Sequence, residues 1–342
     1  MEQIKKKSFY YRIDFWLGLL ISALCIAWVV TRIDFDELAR QLRSANLKYI
    51  LLAMLTMFSG YCLRAYRWNF FFEKKSLSFF KAFKCLIVGF FMNNTLPARM
   101  GELVRARAGS LATGQSTTTV LASIASERLT DGITISLYFI VLFGIWAKPQ
   151  DLAEHNGLYY VTYFFVAVAA FTITTLIFRY KIFQLLEQIN QRLKHQFFTF
   201  ALQRIKVFIE GLEPLFMLRN IFVSVPLSII IWGLELSVYG LVTLGFGQEL
   251  GIMGLVLFMT VVNFSSLIPA APAGVGVIEA ATTLALTGIG VNPTLALSMV
   301  LTQHVLQMIV VGIPGGMFFF SVMQKDCFLC KNTRQKNKLE ER

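Results

Sequence analysis

The sequence predicts an all-α polytopic membrane protein, and three observations carry that expectation. Apolar runs close to the ~20 residues a spanning helix needs recur along the chain. Hydrophobic residues make up 56% of the 342 positions. Basic residues gather in short flanks between the runs, the pattern of loops held on the inner side of a membrane. Hydrocarbon offers backbone N–H and C=O groups no water, so spans must be helices or a closed barrel, and continuous runs lack the alternation of barrel strands. The net charge of +12 does not point to nucleic acid, because its lysines and arginines sit in those flanks rather than on one patch.

The runs fall near 13–31, 49–63, 82–96, 117–146, 158–178, 220–246, 250–268 and 292–323. The first, in "MEQIKKKSFYYRIDFWLGLLISALCIAWVV", has the basic flank of a signal peptide. No small-residue cleavage site follows it, and Leu24 before Cys25 is a poor lipoprotein site, so it is expected to stay as an uncleaved span. The N-terminal flank, the stretch 64–84 with Arg64, Arg67, Lys74 and Lys75, the connection 179–219 and the tail after Lys325 are basic and expected inside. Segments 32–48 and 147–157 mix charges and are expected outside.

Parity then forces two runs to turn back. Only an odd number of crossings can separate an inner 64–84 from an outer 147–157, yet two runs lie between them. Run 82–96 is short, ends at Asn94 and Pro97, and is followed by a polar return segment. In the second half "SSLIPAAPAGVGVIEAA", with Pro269, Pro272, Gly274 and Gly276, is the matching break. The expectation is about six transmembrane helices plus two re-entrant helical hairpins, with both termini cytoplasmic. A single membrane domain would cover 1–323, with repeat halves near 47–146 and 220–323. The connection 179–219 is amphipathic and expected to lie on the inner surface, and 324–342 forms a basic tail.

A weak internal repeat fits this topology. Shifting by 176 places Glu127, Arg128 and Asp131 on Gln303, His304 and Gln307, and brings Gly101 and Glu102 close to Gly276 and Glu279. The topology makes the halves inverted, the arrangement by which many transporters form a midplane site.

Intramembrane charges are the candidate site. Glu127 lies about 15 Å along the helix from Thr117, near the middle of a hydrocarbon layer of about 30 Å. Three charges within five residues would not persist facing lipid, so Glu127, Arg128 and Asp131 must face protein or water. Arg128 and Asp131, three apart, can bridge, which leaves Glu127 over. At the first break, Pro97 and Gly101 free backbone N–H groups and Arg99 adds a guanidinium fork suited to phosphate, with Glu102 to neutralise Arg99 or Arg105 when the site is empty. Arg105 and Arg107 read as members of a basic inner loop. Glu235 and Glu279 add deep carboxylates, and His304 could join a proton relay. Acids exceed bases in this count, which suits proton coupling or a cationic headgroup.

Cysteine usage adds little. Cys25, Cys62 and Cys85 read as packing residues, and Cys327 with Cys330 forms a lone pair short of the four ligands of a structural zinc site. Neither a metal nor a cofactor is expected.

At Asn94, Pro97, Arg99, Gly101 and Glu102, at Glu127, Arg128 and Asp131, and at Pro269, Pro272, Gly274, Gly276 and Glu279, the chain resembles the flippase-like family named after the transmembrane region of lysylphosphatidylglycerol synthase. Ala273 stands where that pattern has a second glycine. The resemblance implies a translocase of the bacterial or archaeal cell membrane that moves a charged phospholipid or polyprenyl-phosphate-linked lipid between leaflets. The partner would be a membrane lipid with an anionic phosphate headgroup, and association into a homo-oligomer is left open. Only a basic tail follows residue 323, so aminoacyl transfer is not expected. The competing reading is a membrane-embedded transferase acting on a lipid-linked sugar or aminoacyl lipid. Asp34 and Asp36 in "DFD" resemble a metal–nucleotide D-x-D, but they fall in an outer segment.

Overall fold

The computed structural model describes residues 13–31, 33–72, 77–96, 100–146, 217–266, 268 and 271–340, with scattered positions between 167 and 188. Pro97, Arg99, Pro269, the loop 147–157 and most of the run 158–178 and of the connection 179–219 lie outside them. The same holds for the side chains of Cys327 and Cys330.

Every described element is helical: α1 (Ile13–Val30), α2 (Phe35–Ser44), α3 (Leu47–Trp68), a 3₁₀ turn (Asn69–Phe71), α4 (Phe79–Thr95), α5 (Gly101–Thr113), α6 (Thr117–Trp146), α7 (Leu218–Gly245), α8 (Ile252–Ser265), a second 3₁₀ turn (Pro272–Gly274), α9 (Val277–Gly288) and α10 (Pro293–Glu340). Among the described residues, Leu47–Phe71, Asn220–Gly245 and Pro293–Val322 are long and apolar enough to cross a membrane. The 30 residues of α6 are as long, but they carry Glu127, Arg128 and Asp131. Large apolar side chains on the long helices face outward, among them Leu55 (60% exposed), Phe222 (75%) and Met317 (71%). Water would penalise that arrangement, and lipid rewards it.

Both sequence breaks appear as helix–break–helix units. Helix α4 stops at Thr95 and α5 starts at Gly101. Helix α8 stops at Ser265 and α9 starts at Val277. The basic stretch 64–84 is not one loop: Arg64 and Arg67 belong to the last turns of α3 and are buried, while α4 already begins at Phe79. Asp34, the first acid of "DFD", caps α2 by accepting the N–H groups of Asp36 and Glu37 at 2.9 and 3.0 Å. That occupation satisfies orphan helix donors. Helix α10 continues through the segment read as a tail, to Glu340.

The chain divides into two compact units. The first comprises 1–58, 90–101 and 235–313, the second 59–89, 102–234 and 314–342. In the first, α8 and α9 pack on each other and α1 packs on α9. Ser22 on α1 accepts the Ala271 N–H at 2.9 Å. Gly276 caps α9 with φ at 90°, and a β-carbon there would sit 2.7 Å from the Ser22 carbonyl oxygen, so glycine is required both for conformation and for space. Ala273 also takes a left-handed conformation, φ 61°. A β-carbon costs ~1–2 kcal/mol there, against ~0.4–1 kcal/mol for the extra unfolded-state freedom of glycine. Ala273→Gly is therefore expected to stabilise the protein by about 0.5–1 kcal/mol, read as a higher thermal midpoint in detergent.

In the second unit, Trp68, Phe71, Cys85, Ala106, Val120 and Ile124 belong to one buried cluster. Helix α5 comes so close to α4 that a β-carbon on Gly89 would lie 2.7 Å from that of Arg105.

Candidate functional site: a buried network of arginines and carboxylates

Helix geometry sorts the three charges of α6. Glu127 and Asp131 are four residues apart and share a face, whereas Arg128 is turned about 100° from Glu127. Glu127 and Asp131 are accordingly buried, at 0% and 4% exposure, while the Arg128 side chain remains 34% exposed.

Glu127 is held by Arg105 in a two-pronged pair: Nη1 donates to Oε1 at 3.0 Å and Nη2 to Oε2 at 2.6 Å. This fork-to-fork geometry is the strongest common ion-pair arrangement. The flat face of the same guanidinium lies 4.2 Å from the Trp68 ring centroid, and the Trp68 indole donates to Ser123 Oγ at 3.1 Å. Edges bond and faces stack, which suits arginine better than lysine to a dry site.

Asp131 gathers two cations from α3. Arg64 Nη1 reaches Oδ2 at 3.3 Å and Arg67 Nη2 reaches Oδ1 at 2.8 Å. The Trp232 indole on α7 donates to Oδ1 at 3.1 Å, and Arg64 stacks on that ring at 4.8 Å. Arg67 Nη1 also donates to Ser228 Oγ at 2.6 Å. Arg128 Nε donates to Glu102 Oε1 at 2.9 Å, a pair in which both side chains stay about one third exposed.

Several expectations change here. Glu127, which an Arg128–Asp131 bridge would leave over, has a bidentate partner. That partner, Arg105, is no loop residue: it is 2% exposed on α5. Arg107 is exposed, but it too stands on α5 rather than in a loop. Glu102 neutralises Arg128, and Arg99 lies outside the described residues. Arg64 and Arg67 add two buried cations to the expected set, so that among the described residues four guanidinium groups pair with Glu102, Glu127 and Asp131. Arg64 and Arg67 were missed as site residues because positive charge at the end of an apolar run reads as an inner flank. Their spacing of three, on one helical face followed by Trp68, was the available signal.

In the first unit, Glu279 stands in the first turn of α9. Its Oε2 accepts the Gly276 N–H at 2.7 Å and its Oε1 lies 2.6 Å from His304 Nδ1 on α10. Both side chains are buried. Gln303 Nε2 reaches Gln307 Oε1 at 3.5 Å. Pro272 and Gly274 form the tight turn before α9, and Gly101 opens α5. Asn94 and Glu235 are half-buried on α4 and α7. Among the described residues, no group of three or more His, Cys, Asp or Glu side chains could hold a metal ion.

Apolar outward-facing helices, two helix breaks and internal arginine–carboxylate pairs define a polytopic α-helical membrane protein with a charged interior. The chain belongs to the family described as the lysylphosphatidylglycerol synthase TM region, whose model matches residues 15–315. It is 20% identical over 318 residues to a UPF0104 membrane protein of Pyrococcus horikoshii, covering 88% of this chain and 93% of that one. It is 22% identical over 324 residues to a UPF0104 membrane protein of Methanothermobacter thermautotrophicus, covering 87% and 92%.

Proposed function

We propose that the chain moves lipids with an anionic, phosphate-bearing headgroup between the two leaflets, and that Arg128, freed from Glu102, meets the headgroup. The observation that carries this reading is the exposure of one pair: the Arg128 and Glu102 side chains are each about one third exposed, whereas Arg105, Glu127, Arg67 and Asp131 are buried. Arg128 and Glu102 are the accessible pair, so an arriving phosphate can take the place of the Glu102 carboxylate with little loss of hydrogen bonding. Arg99 is assigned to the same headgroup. Family membership supports a lipid-related role.

The proposed topology has six crossings, two re-entrant hairpins, both ends cytoplasmic and inverted halves. It is supported by the shortness of α4, α5, α8 and α9, of 17, 13, 14 and 12 residues, each below the ~20 needed to cross. A second support is positional. In each half a carboxylate in the first turn after the break pairs with the long helix that follows: Glu102 with Arg128, and Glu279 with His304. The 176-residue shift aligns Arg128 with His304.

The test uses vesicles of phosphatidylglycerol and phosphatidylethanolamine carrying the purified protein and a trace of fluorescent phosphatidylglycerol, with outer-leaflet quenching as the readout. The wild type should equilibrate the probe, and Arg128→Gln should slow it about 10- to 100-fold, the loss of one charge-assisted hydrogen bond. An unchanged rate in that variant would remove Arg128 from the path. A wild type that moves no lipid but transfers sugar from a nucleotide to lipid would be a transferase.

A further inference from the structure

The two pairs that follow the breaks differ in one chemical respect. Arg128 keeps its charge at any accessible pH, so the cation facing Glu102 is permanent. His304 can lose its proton. Where one half carries a fixed charge, the other carries an imidazole against a carboxylate, Nδ1 to Oε1 at 2.6 Å, buried on both sides.

The surroundings make that proton consequential. Helix α9 is packed against α1 and α8. Among the described side chains of α1, α8, α9 and α10, the ionisable groups are Cys25, Glu279 and His304. Helix α7, stacked on α8 through Tyr239 and Phe258, adds Tyr239 and the half-buried Glu235. Helix α2 touches α10 through Gln41 and Ser298, about 9 Å along the helix from His304. It carries Asp36, Glu37, Arg40 and Arg43 as exposed or half-exposed groups. Arg40 is turned to Glu37. His304 is thus the cation at hand for the Glu279 carboxylate, and a buried carboxylate without a cation is strongly penalised.

We propose that Glu279 and His304 form the proton site that couples lipid movement to a proton gradient. The inference rests on the lipid-translocation reading above and adds its driving ion. Carboxylate with neutral imidazole bears one negative charge. One proton from water, bound at Nδ1 and shared with Oε1, makes the pair neutral overall, and its release restores the charge. No other group changes oxidation or bonding. The other carboxylate oxygen holds the Gly276 N–H at 2.7 Å, so the charge change acts directly on the turn that opens α9. The Arg128–Glu102 pair gives its own break no such sensitivity, which confines proton dependence to one half of the cycle.

The experiment compares lipid movement with and without an imposed pH step of one unit. Vesicles of phosphatidylglycerol and phosphatidylethanolamine hold the full chain, fluorescent phosphatidylglycerol and an internal pH dye. The wild type should move the probe at least about 5-fold faster, or more slowly by the same factor, under the step, with lipid-dependent proton movement seen by the dye. His304→Gln keeps a hydrogen-bonding side chain but takes no proton, and its ratio of rates with and without the step should fall to one. His304→Arg, which recreates the permanent cation of the other half, should give the same ratio if the glutamine variant does not fold. Either variant responding like the wild type, or a wild type that moves lipid indifferently to the step, overturns the coupling alone. A wild type that moves no lipid at any pH overturns the translocation reading, and the coupling with it.

Discussion

Replacing Glu127 by alanine is expected to lower stability by about 3–5 kcal/mol, because it strands the Arg105 guanidinium in a buried site without its counter-charge. The loss follows from burial and not from attraction alone. Arg105 and Glu127 are 2% and 0% exposed, and the Arg105 side chain has its backbone end pressed against Gly89, so it has no short route to solvent. Removing both charges at once, as Glu127→Leu with Arg105→Met, should recover most of the loss, since well-packed apolar pairs often replace buried ion pairs without penalty. Thermal unfolding in detergent, followed through tryptophan fluorescence, reads both. A single variant as stable as the wild type would mean that water reaches Arg105.

Asp131→Asn should cost a similar ~3–5 kcal/mol, although the new side chain has nearly the same shape. The amide oxygen can still accept from the Trp232 indole, now 3.1 Å from Oδ1. What disappears is the negative charge that holds Arg64 and Arg67 on one carboxylate. Two cations on neighbouring turns of α3 then repel across low dielectric. Adding Arg67→Met to Asp131→Asn should restore part of the stability, because one of the two repelling charges is gone. The contrast with Arg128→Gln is diagnostic. That side chain is one third exposed, screening limits its pair to about 1 kcal/mol, and its loss should fall on transport. Equal destabilisation by Asp131→Asn and Arg128→Gln would contradict the division into a structural and a working pair.

The all-helical membrane class was legible because hydrocarbon leaves the backbone no alternative, and the helix spanning 117–146 was predicted at its observed bounds. The breaks were legible for a similar reason: Pro97, Gly101, Pro272, Gly274 and Gly276 cannot all sit inside uninterrupted helices. The burial of Glu127 and Asp131 followed from the penalty of charge in lipid. Their partners did not follow, since pairing depends on which helices meet, and spacing along one helix says nothing of a neighbour 67 residues away, the separation of Arg64 from Asp131. Local spacing favoured Arg128 with Asp131, and tertiary packing gave Asp131 to α3 instead. Arg64 and Arg105 were misread together, because an arginine flanking an apolar run has the same sequence signature whether it snorkels to water or turns inward. Glu279 and His304 came close to being read, as the repeat placed them opposite Glu102 and Arg128.

The hydrogen bond from Ala271 to Ser22 joins residues 249 positions apart. A ribosome makes Ser22 long before Ala271, so the acceptor on α1 exists without this donor while the intervening 248 residues are still being synthesised. Domains ordinarily mature from the N-terminus as they emerge; here the seat of α1 is complete only once residue 271 has been made. A chain stopped short of residue 271 would hold α1 without that anchor and without α9, the helix it packs on.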